Sequence, residues 1–134
     1  MAIYGAFDIS GSGLLAQRTR MDAISANLAN RNTPGFETIQ VEFASGNPAQ
    51  GSDLGVHVAG IERIPMFNGQ YVNVASGSEA DLADGAADGL APMPDISYER
   101  SMVDGIEALR AYEANIQAID TTRSMIDAAI RVLA

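Results

Sequence analysis

The sequence predicts a mainly α protein with a small β insert: long N- and C-terminal helices pairing as a coiled-coil-like arm, and a β-rich middle segment between them. Three observations carry this. Apolar residues recur on 3 and 4 steps in both terminal zones, Pro34-Gly35 cuts off the first of them, and the middle holds most of the Gly and four of the five Pro. The resulting division is 1–35 for the first helix, 36–95 for the middle, and 96–134 for the second helix.

In the first zone, Leu14, Met21, Ile24 and Leu28 lie on one helical face, with Ala16, Ala23, Ala26 and Ala29 around them. The spacing predicts a helix over 7–32, with Asp8 or Ser10 capping its start through a side-chain oxygen that accepts first-turn N–H groups. Gly11-Ser12-Gly13 reads as a lead-in. It lacks both G-x-x-x-x-G-K-[ST] and G-x-G-x-x-G, so it is no nucleotide cradle. Asn27 and Asn30 are amides near the helix end that can bond its last carbonyls, and Asn32 suits a left-handed cap. Asn27 also adjoins the apolar seam, where a buried amide can fix register and oligomer choice. Pro34 forces Thr33 out of helical geometry, and Pro-Gly suits a type II turn.

In the middle, Ile39, Val41 and Phe43 alternate with Thr38, Gln40 and Glu42, predicting a strand. A second runs over 54–61 and a third over 70–74, the latter following an Asn68-Gly69 turn. The small, acidic stretch 75–89 has little to bury and is expected to be a mobile loop. The last zone carries the strongest pattern. Leu109, Tyr112, Ile116, Ile119, Ile126, Ile130 and Leu133 keep alternating 3 and 4 steps, broken where Arg123 takes the stripe position. With no Gly or Pro after Gly105, it predicts a helix over 97–134 with a seam of coiled-coil type. Arg110 and Glu113 are spaced so that they can pair at i,i+3, and Asn115 beside Ile116 is a second candidate register-setting amide.

The expected assembly seam is therefore Leu14, Met21, Ile24, Asn27 and Leu28 on the first helix. On the second it comprises Leu109, Tyr112, Asn115, Ile116, Ile119, Ile126, Ile130 and Leu133. These stripes are wide for a two-helix contact, and the insert is small. The leftover apolar face calls for other subunits.

Composition narrows the function classes. The 134 residues carry 17 acidic and 8 basic side chains, a formal charge of −9, and every basic residue is Arg. Such a surface repels phosphate backbones and acidic membranes, which argues against nucleic-acid binding and a polybasic membrane role. Without Cys there is neither a disulfide scaffold nor a thiolate metal site. Residues 1–10 do not have the pattern of a cleaved signal peptide, and no apolar run reaches membrane-spanning length, so no direct membrane insertion is expected.

Catalytic and metal sites find little support. His57, the sole His, has no nucleophile placed by a recognisable motif and reads as a surface or satisfied strand residue. Glu79, Asp81, Asp84 and Asp88 depart from calcium-loop spacing and read as a solvated loop. No cofactor, metal or catalytic residue is expected. The competing classes are a helical export adaptor, which would form a stable one-to-one complex, and an acidic-loop metal enzyme, which would lose turnover on changing Asp81, Asp84 and Asp88.

Several motifs in register carry a family likeness. Ser25-Ala26-Asn27-Leu28-Ala29-Asn30 followed by Asn32-Thr33-Pro34-Gly35-Phe36 resembles the N-terminal motif of flagellar rod, hook and hook-associated axial proteins. Residues 7–14, Gln17-Arg18 and Met21-Asp22 resemble proximal-rod members in particular. So do Met102-Val103-Asp104, Arg110-Ala111-Tyr112-Glu113-Ala114-Asn115 and Thr122-Arg123-Ser124-Met125. The likeness covers the two terminal zones, about half the chain. The middle departs, because the Tyr-Asp-Pro-Gly-His-Pro-like segment usual in that group is missing. The resemblance implies export through the flagellar type III apparatus without a cleaved signal, and terminal helices that order on assembly. It also implies packing with copies of itself and other rod proteins beside the inner-membrane ring and export gate, in a rod that crosses the periplasm and transmits torque.

Overall fold

A computed structural model of the protein describes residues 2–47, 52–73 and 90–133. The order of elements is α1 (Ala2–Ala29), β1 (Thr38–Asn47), β2 (Ser52–Ile64), β3 (Phe67–Asn73), β4 (Leu90–Pro94) and α2 (Tyr98–Leu133). Two long helices thus enclose a small β region, as expected. At about 1.5 Å per residue, the 28 residues of α1 span about 42 Å and the 36 of α2 about 54 Å.

The start of α1 differs from the expectation. Asp8, Ser10 and the Gly11-Ser12-Gly13 lead-in all lie inside the helix. Glycines that cost helix propensity are tolerated here because the helix is held from outside by packing. Its end follows the expected chemistry. Asn30 donates both its backbone N–H and its Nδ2–H to the Ala26 carbonyl, at 3.1 and 2.9 Å. The closing bonds therefore come from Asn30 rather than Asn32. Phe36 N–H then reaches the Thr33 carbonyl at 3.2 Å across Pro34 and Gly35, with Gly35 at φ 76°. That is a type II turn, and its left-handed third position requires Gly. Gly35 N–H continues outward to the Pro92 carbonyl at 2.8 Å, tying the turn to β4.

The strands form two antiparallel pairs, β1 with β2 and β3 with β4. In the first, Thr38 faces Ile64 and Ser45 faces Val56, with Ala59 left over as a bulge opposite Glu42 and Phe43. His57 donates its Nδ1–H to the Gly46 carbonyl across this hairpin at 2.8 Å, since a carbonyl can only accept. It is a satisfied strand residue. Asn68-Gly69 makes no hairpin turn. It sits inside β3, in the irregular stretch between Phe67 and Tyr71, with Gln70 N–H donating to Asn68 Oδ1 at 2.9 Å. The fourth strand, Leu90–Pro94, went unforeseen because two of its five residues are Pro, which is tolerated only where no ladder donor is needed. The expected mobile loop 75–89, with its acidic residues, lies outside the described residues.

Ser97 caps α2. Its hydroxyl accepts from Arg100 N–H at 3.4 Å and donates to Glu99 Oε2 at 3.1 Å. The Glu99 carboxyl is held below its ordinary range, chiefly by a backbone N–H, then by Ser97 and the Arg31 charge. The Arg31 guanidinium lies 5.4 Å from the Tyr98 ring centroid, joining the end of α1 to the start of α2.

Candidate assembly interface

Small residues bring the two helices together. Asn115 packs on Gly13 so closely that a Cβ at position 13 would lie 2.9 Å from its Nδ2, and Ile24 lies against Gly105. These contacts run in opposite directions along the two helices, so α1 and α2 are antiparallel and in step. Ala16 and Ala108 are 2% and 0% exposed, and Ala23 is buried as well. No large apolar side chain is fully buried among the described residues.

The expected seam divides on this geometry. On α2 the covered face follows Ser101, Gly105, Ala108, Tyr112, Asn115, Ile119, Thr122 and Ile126, which keep 3 and 4 steps. Tyr112, Asn115, Ile119 and Ile126 therefore belong to the side turned toward α1. Leu109, Ile116 and Ile130 form a neighbouring row, exposed by 47%, 39% and 58%. One continuous stripe in the sequence is two rows in the structure, because alternating 3 and 4 steps from Leu109 straddle the boundary between them. Met102, Val103, Ile106 and Met125 extend the exposed apolar side. The side chain of Leu133 lies outside those described.

On α1, Leu14, Met21, Ile24 and Leu28 are half-buried. The helix is covered on two sides, by α2 and by the β1–β2 hairpin. Asp8, Gly11, Leu15, Arg18, Asp22, Ser25 and Ala29 form an exposed stripe along it, and Ile9, outside that stripe, is exposed as well, so Leu15 and Ile9 are its exposed large apolar residues among the described side chains.

Asn27 has a different partner from the one its place near the seam suggested. It is 9% exposed, donates Nδ2–H to the Ile39 carbonyl and accepts Ile39 N–H on Oδ1, both at 2.8 Å. The amide imitates one rung of a strand ladder and joins α1 to β1 within the chain. Residues missed from sequence are Gly13, Gly105 and Ala108, while Ala16 and Ala23 were placed around the first stripe but not in the seam. Their recurrence on steps of 3 and 7 was the available signal.

A cleft of about 650 Å³ opens between α1, the hairpin root and the start of α2, with Arg20, Ile24, Ile39, Ile96, Arg100 and Asp104 on its walls. Thr38 Oγ1 also lines it, buried and without a hydrogen-bond partner. Among the described residues no group of three His, Cys, Asp or Glu side chains could hold a metal ion.

This arrangement of paired terminal helices around a β insert can be set beside known proteins. The family described as "Flagella basal body rod protein" matches residues 7–36, and "Flagellar basal body rod FlgEFG protein C-terminal" matches residues 96–132. A curated protein of Aquifex aeolicus named flagellar basal-body rod protein FlgC is 33% identical over 133 residues, covering 95% of this chain and 94% of its own. The chain belongs to the flagellar basal-body rod protein family. Rod proteins FlgC of Agrobacterium fabrum and Salmonella typhimurium are 34% and 33% identical, covering 93% and 94% of this chain. Likeness to these rod proteins therefore runs through the middle zone as well as the helices, further than the two helical motifs alone indicated.

Proposed function

We propose that the chain is a non-enzymatic structural subunit of the proximal rod of the flagellar basal body, assembling through its terminal helices into the torque-transmitting shaft. The observation that carries this is the outward row Leu109, Ile116 and Ile130 on a helix whose other side is already paired. An apolar row exposed on a 36-residue helix gains by burial against neighbours, at about 25 cal/mol per Å². Contact with neighbouring helices would complete a coiled-coil-like packing for which the α1–α2 pair alone is too thin. Thr38 Oγ1 in its cleft points the same way, because a buried oxygen without a partner costs about 1–3 kcal/mol until a neighbour supplies a donor.

The partners are further copies of the chain and other rod proteins, close to the inner-membrane ring and export gate. The subunit reaches its periplasm-spanning position through the flagellar export apparatus, without a cleaved signal. No helix among the described residues is long and apolar enough to cross a membrane. Deleting the gene tests the reading: cells should lose motility and yield basal bodies that stop before the rod. Complete rods in the deletion strain would refute it.

A further inference from the structure

The β1–β2 hairpin is attached to α1 at two points, and the two attachments differ in kind. At its root, Asn27 exchanges two hydrogen bonds with Ile39. Near its tip, the Ser12 hydroxyl donates to the Ile9 carbonyl at 2.8 Å and accepts Val56 N–H at 3.1 Å. A mid-helix serine usually bonds back to its own helix and nothing more. Here the same oxygen also catches a strand.

The spacing of the two points is matched. Fifteen residues of α1 separate Ser12 from Asn27, about 22 Å of helix. Six residues of β1 separate Ile39 from Ser45, the partner of Val56, about 20 Å of strand. The hairpin therefore lies along α1 without stretching either element. Its ladder is broken where the tip attachment forms: β2 carries residues 53–55 against the single Gly46 of β1. Within that irregularity Gly55 has φ 95°, and a Cβ there would lie 2.5 Å from Ser12 Oγ. Position 55 is thus restricted to Gly twice over, by its left-handed backbone and by the approach of the latch oxygen. Gly5 supplies a further close approach, with Leu54 Cδ1 3.6 Å from where its Cβ would stand.

We infer that Ser12 and Gly55 form a latch that closes the hairpin tip onto α1, with Asn27 as the fixed pivot. A closed latch covers α1 at Ser12, leaving α2 to present the exposed apolar row. An open latch frees that part of α1 together with Leu54 and Val56. The Ser12–Val56 hydrogen bond is exposed and within reach of a neighbouring subunit, so the device sets which helix face is available. The latch itself consists of contacts within the chain and does not depend on the rod assignment, whereas its opening by a neighbour rests on the proposed assembly.

The test uses the full chain and follows Val56 amide exchange, with spin labels at Arg18→Cys and Ser45→Cys reporting the tip-to-helix distance. Ser12→Ala should speed Val56 exchange about 2- to 12-fold, the equivalent of one net hydrogen bond, and broaden the distance distribution. Ser12→Thr, which keeps the hydroxyl, should restore both. Gly55→Ala should open the latch at least as far, while Ile39 exchange at the pivot stays slow in all three variants. Unchanged Val56 exchange and distance in Ser12→Ala would overturn the latch, as would equal loss of protection at Val56 and Ile39.

Discussion

Replacing Asn27 by Ala removes both bonds that join α1 to β1, and its cost can be worked from the structure. The side chain is 9% exposed, and each of its bonds to Ile39 is 2.8 Å long. Alanine leaves the Ile39 N–H and carbonyl without partners in a half-buried place. An unmade bond of that kind costs about 1–3 kcal/mol, and partial water access favours the lower end, so the pair should cost about 2–4 kcal/mol. That is a large share of the 5–15 kcal/mol typical of a folded domain. Asn27→Asp should be no better at neutral pH. It keeps an acceptor for Ile39 N–H but turns a carboxylate toward the Ile39 carbonyl in place of the donor. That environment favours the protonated acid, so stability lost by the Asp variant should be partly regained as pH falls through its raised pKa. Urea unfolding measures the cost, and amide exchange at Ile39 locates it. A change below about 0.5 kcal/mol in Asn27→Ala, with Ile39 still protected, would refute the account.

Other substitutions separate folding from assembly. Ile116→Asp changes an outward residue, so the isolated subunit should keep its stability within about 0.5 kcal/mol while rod incorporation and swimming are lost; normal swimming would sink the outward-row argument. Ile119→Asp places a charge against α1 and should itself destabilise the subunit by about 1–3 kcal/mol, read by the same unfolding assay. Ala108→Leu should push the helices apart at a cost of about 1–3 kcal/mol, visible as a lowered unfolding midpoint. Changing Asp81, Asp84 and Asp88 together to Asn should leave motility nearly intact in a swarm assay.

Elements were legible where one local pattern dominated. The 3- and 4-step recurrence in α2, the alternation in β1 and the Thr33-to-Phe36 turn each express a single strong constraint. The turn was the most fully determined, because Pro34 and Gly35 together leave one backbone shape. Failures came where a tertiary contact overrode a local preference. Gly11 and Gly13 read as breakers, yet Asn115 resting on Gly13 needs a position without a Cβ, so a propensity cost inside α1 permits the helix contact. Asn68-Gly69 looked like a hairpin turn but is absorbed in the irregular pairing of β3 with the Pro-rich β4. Asn27 was visible as an unusual amide. Its partner, twelve residues away on β1, was not.

The larger revision concerns which side chains hold the subunit together. Large apolar residues on helical spacing are ordinarily read as the contact between the helices that carry them. Here Gly13 meets Asn115 and Gly105 meets Ile24 across the two helices, and the buried residues on them are small, Ala16, Ala23 and Ala108, while Leu109, Ile116 and Ile130 stay open. This division makes physical sense for a chain of this length. Two helices in contact can cover each other over one narrow face, and among the described residues the hairpin covers a second face of α1 while the main contact of α2 is with α1. Filling the narrow contact with Ala and Gly reserves the bulky side chains for whatever packs on α2 from outside. A subunit built the other way, with Ile and Leu between its own helices, would be more stable alone and would have less apolar surface left to offer a neighbour.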